Sequence, residues 1–299
     1  MGTDRWVGWD HRNLDSTRPA AWVIGAAGRV GQALMEAGAQ RDWGMLGLPK
    51  KPTADHRLSL DVTDRDATSL ALNNPMFSLV FLPAAVTDVD SCEDPESWAV
   101  NVEGVKNVVD AGRGKLIFFS TDYVFGDDGE FAESDVVHPL SQYGSQKVCA
   151  ENYILANCPH ALIVRTSWVF GHDRNFVSWV AHTLMKGEKV TVAAEEMGNP
   201  TFAPVLAEAV LDLVTMGAEG IWHVAGRSIS RLDFAREIGA LFSQDVEGVV
   251  EGEVTQRARR PLRSSLSVAK CERALGRSVD WTKGAESLRY SGRAFDTFE

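Results

Sequence analysis

Short apolar runs alternate with stretches of helical spacing along most of this chain. Ala21–Ile24 is the first run, and it ends at Gly25. Gly25-Ala-Ala-Gly28-Arg-Val-Gly31 follows, then Gln32–Ala37 with Gly38 as a stop, which reads strand, glycine turn, helix. Further strands are expected at Met45–Leu48, Phe77–Leu82, Lys115–Phe119 and Ala161–Arg165, with a strand end over Leu58–Val62. Helices are expected from Pro95 to Ala111 and from Pro139 to a stop before Pro159. Strand–helix alternation over the first 170 residues predicts an α/β fold with a doubly wound parallel sheet.

Beyond residue 170 the pattern is mixed. Asn175–Lys186 has helical spacing, Val190–Val192 reads as a short strand, and Pro204–Met216 is a helix with proline at its start and Gly217 at its end. Ile221–Val224 reads as a strand, Ser230 with Asp233 opens a helix through Phe242, and Ser267–Leu275 closes with a short helix. The expected division is a core over 21–170, rejoined by segments around 203–226, with 171–202 and 227–299 forming a smaller C-terminal lobe. Residues 1–20 are expected to be an extension, either a frayed tail or a segment docked through Trp6 and Trp9.

Composition narrows the classes. A net charge of -11 argues against a nucleic-acid or anionic-membrane partner. No apolar run approaches the ~18 residues of a membrane span. The charged residues among the first twenty do not fit a signal peptide. Cys92, Cys149, Cys158 and Cys271 have neither zinc nor redox spacing, so reduced thiols, a cytoplasmic location and no metal are expected.

The glycine turn marks the first candidate site. Glycines there let the backbone approach a pyrophosphate, and the helix start behind them offers N–H donors. Met45–Leu48 is followed by Pro49-Lys50-Lys51 with no acid, where a dinucleotide's adenosine ribose is expected. Together with Arg29 inside the turn, these cations predict NADPH over NADH. Asp61 is placed to meet an adenine amino group. The small residues of Pro83-Ala84-Ala85-Val86-Thr87 permit close approach of a ligand at a strand's carboxyl end. The basic run Gln256–Arg263 fits either a diphosphate partner or a solvated loop.

Tyr143 and Lys147 lie four residues apart, hence on one helix face. An ammonium beside a phenol favours the phenolate and lowers its pKa. Such a tyrosine gives a proton to a carbonyl oxygen while hydride arrives from elsewhere. The lysine carries donors for sugar hydroxyls. The Thr121 hydroxyl is placed to hold the same oxygen from the other side.

Ten stretches in order carry a family resemblance: Gly25–Gly31, Ala84–Glu93, Val100-Asn101, Ser120-Thr-Asp-Tyr-Val-Phe125, Pro139–Lys147, Arg165-Thr-Ser-Trp-Val-Phe-Gly171, Asn175–Val177, Gly198–Thr201, His223–Gly226 and Arg259–Pro261. On these the chain resembles an extended short-chain dehydrogenase/reductase of the dTDP-4-dehydrorhamnose reductase group. The resemblance implies a Rossmann core with a substrate-binding lobe. It implies reduction of the 4-keto group of a nucleotide-linked 6-deoxysugar, dTDP-linked, by NADPH, with NADH also accepted. Thr121, Tyr143 and Lys147 match the catalytic set. Gly25, Gly28, Arg29, Val30, Gly31, Asp61, Val62, Ala84, Ala85 and Thr87 match cofactor positions, beside Tyr143 and Lys147. Thr121, Asp122, Tyr123, Trp168 and Asn175 match the substrate side. A homodimer is expected. Leu82 and Val86 stand where the family often has asparagine and tyrosine. Two other readings remain open: an NADP-binding regulatory subunit resembling the β subunit of methionine adenosyltransferase, and an epimerase or dehydratase of the same superfamily.

Overall fold

Six parallel strands form the central sheet: β1 Ala20–Ile24, β2 Gly44–Leu48, β3 Leu79–Leu82, β4 Lys115–Thr121, β5 Leu162–Thr166 and β6 Gly220–His223. The computed structural model describes residues 19–288, apart from 113, 128, 172, 173, 243, 253–255, 283, 285 and 287. Most of the N-terminal extension, with Trp6 and Trp9, therefore lies outside the described residues.

The spatial order is β6-β5-β4-β3-β1-β2. The chain thus runs outward from β1 to β2, then returns past β1 to β3. The reversal opens a crevice beyond the carboxyl ends of β1 and β3, where open α/β sheets bind ligands.

Side chains alternate across the pleat, so each strand feeds two cores. Ala21, Val23, Phe81, Ile117, Phe119, Leu162 and Val164 face one side, under the helices Arg29–Gln40 and Ala203–Thr215. Trp22, Ile24, Val80, Leu82, Phe118 and Ile163 face the other, under residues of Arg65–Leu72, Gly104–Ala111 and Gln142–Asn157. A third core around Phe170, Val180, Phe234, Ile238 and Trp281 fills the C-terminal part.

Several elements differ from the sequence-based expectation. Leu58–Val62 forms no strand; it leads to a helix at Arg65–Leu72. That helix is capped by Asp64, whose Oδ1 accepts the Ala67 N–H at 2.9 Å. The helix expected from Pro95 runs from Glu96 to Ala111 and contains a π-helical segment at Ala99–Glu103. Short parallel pairs join distant segments: Gly129–Phe131 with Ser264–Leu266, Val169–Phe170 with Thr201–Phe202, and Val190–Val192 with Val249–Glu251. Among the described residues, no helix is long and apolar enough to cross a membrane. Nor do the described residues group three or more metal-ligating side chains into a metal site.

Candidate active site

The turn after β1 is built by close approach. Gly25 has φ +93°, and a Cβ there would sit 2.7 Å from the Ala84 nitrogen. A Cβ on Gly31 would meet the Gly25 carbonyl at 2.3 Å. The helix that follows, Arg29–Gln40, starts at Gly28 with no side-chain cap and no acid in its first turn. A helix start of this kind presents its positive dipole end to an anion.

Opposite the turn, the segment after β3 is clamped by Asn101. The Asn101 Oδ1 accepts Val86 N–H at 2.8 Å, and Nδ2 donates to the Val86 carbonyl at 2.9 Å. Nδ2 also donates to Gln146 Oε1 at 2.7 Å, which ties the segment to the Tyr143 helix. Asn101 sits in the π-helical segment, a distortion frequent at functional sites.

Two adjoining cavities fill the crevice. One, of ≈390 Å³, is lined by Gly25, Lys50, Asp61, Val62, Ala84 and Val86 among others. The other, of ≈340 Å³, is lined by Arg29, Val30, Gly31, Thr87, Ser120–Tyr123, Tyr143, Lys147 and Trp168 among others. Gly28, Pro83 and Ala85 border both. Leu82 lines neither; it is buried in the core.

At the first cavity Asp61 accepts from Thr63 N and Oγ1 at 3.1 and 2.8 Å, and Lys50 lies 3.2 Å from it. Partial burial works to raise the Asp61 pKa, but Thr63 and Lys50 outweigh it and hold it below the usual carboxylate range.

At the second cavity Tyr143 and Lys147 enter from the helix Gln142–Asn157. Ser141 Oγ caps that helix at Gly144 N, 3.2 Å, and Glu93 Oε1 accepts Gln142 N–H at 3.0 Å. A Cβ on Gly144 would lie 2.1 Å from the Tyr123 carbonyl, so only glycine lets the helix approach Thr121-Asp122-Tyr123 this closely. Lys147 is buried and donates to the Phe119 carbonyl at 2.9 Å. Burial pushes its pKa down to about 8, against the opposing pull of Glu151. Tyr143 is shifted up, first by burial and then by the Asp122 charge. The expected lowering of this phenol by Lys147 is therefore not what the geometry produces. The ammonium is directed to Phe119 O and lies 5.9 Å from the Tyr143 ring centroid.

Other candidate residues are held by protein groups. Arg29 borders the second cavity, but its guanidinium donates to Val169 O at 2.9 Å and Arg174 O at 3.2 Å. It bridges the crevice and does not reach toward the adenosine end. Asn175 is not among the residues lining either cavity. It caps the helix Phe176–Met185, accepting from Val177 N at 2.8 Å, while its Nδ2 donates to Gly171 O at 2.8 Å. The basic run meets carboxylates: Arg257 with Asp94, Arg259 with Asp127 and Arg260 with Asp90, at 2.8, 2.8 and 2.9 Å. The run is thereby tied to the segments that carry Asp90, Asp94 and Asp127.

Sequence reasoning missed three features. Glu151 and Arg165 form a buried bidentate pair at 3.0 and 2.7 Å beneath Lys147. Trp168 holds a left-handed backbone, φ +42°, with Arg231 stacked 3.4 Å over its ring. Asp122 is buried among three hydroxyls. Only the i, i+8 spacing of Tyr143 and Glu151 hinted at the first; the others depend on distant partners.

Comparison with known proteins points one way. The RmlD substrate binding domain matches residues 21–290. A probable low-salt glycan biosynthesis reductase of Haloferax volcanii is 32% identical over 276 residues, covering 86% of this chain and 92% of that protein. The dTDP-4-dehydrorhamnose reductase of Mycolicibacterium smegmatis is 34% identical over 289 residues, covering 91% of this chain and 85% of that protein. A crystal structure of dTDP-4-dehydrorhamnose reductase from Bacillus anthracis in complex with NADP superimposes with a TM-score of 0.82 at 26% identity, covering 91% of this chain and 98% of that one. With a match across nearly the whole described chain, a switch-point crevice and an uncapped glycine turn facing Tyr143 and Lys147, this chain belongs to the RmlD substrate binding domain family, within the extended short-chain dehydrogenases/reductases.

Proposed function

We propose that this chain reduces the 4-keto group of a dTDP-linked 6-deoxysugar, using NADPH. One observation carries the reading: Thr121, Tyr143 and Lys147 line one cavity together with Gly28–Gly31 of the uncapped turn. The donor set fits a dinucleotide. The start of Arg29–Gln40, which no side chain caps, suits its diphosphate, and Asp61 and Val62 at the far cavity suit its adenine. The names and bound NADP of the relatives support the substrate class and cofactor.

A reduced nicotinamide cofactor held by these residues would supply the hydride. Tyr143, kept protonated by its burial, hands its phenolic proton to the ketone oxygen. Lys147, anchored on Phe119 O, keeps further N–H donors for ribose hydroxyls. Trp168 and Tyr123 wall the sugar side, and the Arg231 stack holds Trp168 in place. NADH serves as a poorer donor. The reading includes a cytoplasmic homodimer.

The experiment is turnover with NADPH and a dTDP-4-dehydro-6-deoxyhexose. Consumption of NADPH equal to the sugar reduced supports the reading. Interconversion without net consumption would mark an epimerase, and cofactor binding without turnover would mark a regulatory subunit.

A further inference from the structure

Gln146 stands between Tyr143 and Lys147 in sequence but does not line their cavity. Its side chain is buried in a chain of polar groups. Gln146 Oε1 accepts from Asn101 Nδ2 at 2.7 Å, and Gln146 Nε2 donates to Ser97 Oγ at 2.7 Å and to Cys92 O at 3.3 Å. Asn101 continues the chain to Val86, donating to its carbonyl at 2.9 Å and accepting its N–H at 2.8 Å. Ser97 Oγ donates in turn to Asp94 O at 2.9 Å. The partners force the orientation of both amides. Val86 needs an acceptor for its N–H and a donor for its carbonyl, which fixes Asn101. Asn101 then offers an N–H to Gln146, which must answer with its oxygen and keep its NH2 for Ser97 and the Cys92 carbonyl.

We propose that Gln146 is a positioning residue for the reduction: through Asn101 it fixes the segment Pro83–Thr87 against the helix that carries Tyr143 and Lys147. Pro83, Ala85, Thr87, Tyr143 and Lys147 all line the second cavity, and the Asn101–Gln146 bond is a buried link between the two stretches that carry them. Group transfer tolerates little misplacement, and a shift of ~1 Å can cost about 10²-fold in rate. A loosened link should therefore harm alignment more than binding, because the glycine turn and the first cavity are left untouched. This inference rests on the proposed reductase activity.

The link demands one acceptor and one donor from position 146. An ionised glutamate would accept from Asn101 but would offer only lone pairs to Ser97 and to the Cys92 carbonyl. A protonated one would accept from Asn101 with its C=O and donate its O–H to Ser97. Gln146→Glu is thus broken when charged and whole when neutral, and burial favours the neutral form. The titratable groups around this place are the Cys92 thiol, which burial pushes up, with Lys147 and Asp88 acting on it by charge. Tyr143 lies on the same helix, and Glu93 accepts the Gln142 N–H at its start. Lys147 opposes the rise of a carboxyl here; the carbonyl and hydroxyl partners leave the charge uncompensated.

Two measurements test this. The first needs neither cofactor nor turnover: amide exchange of Val86 in the ligand-free protein, read by NMR. Gln146→Met keeps the bulk and removes the link, and should lower Val86 protection by about tenfold, the loss of one supporting hydrogen bond. In Gln146→Glu, protection relative to wild type at the same pH should recover as pH falls. Val86 protection unchanged in Gln146→Met overturns the proposal. The second is steady-state turnover beside NADPH binding. Gln146→Met should lower kcat by about tenfold while KM for the nucleotide sugar and the NADPH Kd stay close to wild type. The kcat of Gln146→Glu, as a ratio to wild type, should climb as pH falls. A ratio flat with pH, or a loss of NADPH affinity as large as the loss of kcat, marks a merely structural role and overturns the proposal. Gln146→Met carries the test alone if Gln146→Glu does not fold. Wild type without turnover would instead refute the reductase reading, and Val86 exchange would still decide whether Gln146 holds the segment.

Discussion

Tyr143 and Lys147 divide the acid–base work differently from a simple ammonium–phenolate pair. Burial keeps the proton on Tyr143, which suits a general acid that must arrive charged with its proton. Tyr143→Phe should lower kcat by about 10²–10⁴-fold, with NADPH still bound. Lys147 titrates at about 8, so an alkaline limb is expected there. Lys147→Met should remove that limb, weaken NADPH binding and lower turnover. The linkage sign follows from the depressed value. Between about 8 and the ordinary lysine range the unfolded chain holds a proton that the folded chain lacks. Stability of the wild type relative to Lys147→Met should therefore rise with pH across that window, as paired denaturant titrations would read. Cofactor choice also changes hands. Arg29 donates to the carbonyls of Val169 and Arg174, whereas Lys50, exposed and paired with Asp61 at 3.2 Å, lines the cavity at the adenosine end. Lys50→Ala should erode a preference for NADPH of roughly tenfold in kcat/KM. Arg29→Ala should leave the ratio near its wild-type value. A ratio that collapses in Arg29→Ala and survives in Lys50→Ala would refute this assignment.

The helix Gln142–Asn157 is the element on which the site turns. Its amino end is pinned by Ser141 and Glu93, its middle by Gln146, and its far half by Glu151 on Arg165 of β5. The Glu151–Arg165 pair is 3% exposed on both sides, so removing one partner strands a buried charge. Glu151→Gln should cost about 3–5 kcal/mol of folding stability. It should also lower the Lys147 pKa further, because Glu151 is the main group supporting its charge. Denaturant unfolding and the alkaline limb of kcat check the two parts independently. The caps that start these helices were partly legible. Ser230 with Asp233 is the side-chain cap read from the sequence, and Ser230 Oγ accepts Asp233 N–H at 3.0 Å; the caps at Asn175 and Asp64 emerge in the structure. Resemblance placed Asn175 on the substrate side, but helix capping is the local use of that side chain.

Side chains far apart in sequence meet near the cleft. Asp90 and Asp94 follow the segment that borders both cavities, and they hold Arg260 and Arg257. Asp90 also accepts Ala258 N–H at 3.0 Å. Arg257 and Arg259 are more than half exposed, so each ion pair should contribute only ~0–1 kcal/mol and weaken in salt. Arg260 is 16% exposed and should matter more. Arg260→Ala is expected to raise KM for the nucleotide sugar. Arg257→Ala and Arg259→Ala should each stay close to wild type. Equal effects from all three, measured at two ionic strengths, would speak against a graded strap.

Most strands, the glycine turn and the Tyr143–Lys147 face were readable because each is written in neighbouring residues. A period of two, a period of 3.6 and an i, i+4 pair need no knowledge of what lies across the fold. The same locality explains the gaps. Gly129–Phe131 and Ser264–Leu266 are too short to stand out, and they become strands only when the fold brings them together. Arg257, Arg259 and Arg260 look like a solvated or anion-binding run until Asp94, Asp127 and Asp90 arrive from 132 to 170 residues away. Charges and proton affinities in the site were set the same way. Whether Asp122 touches substrate or a cage of hydroxyls depends on Ser167 and Ser264, 45 and 142 positions away. The direction of the Tyr143 shift depends on burial, a property of the packed molecule that no spacing in the chain records.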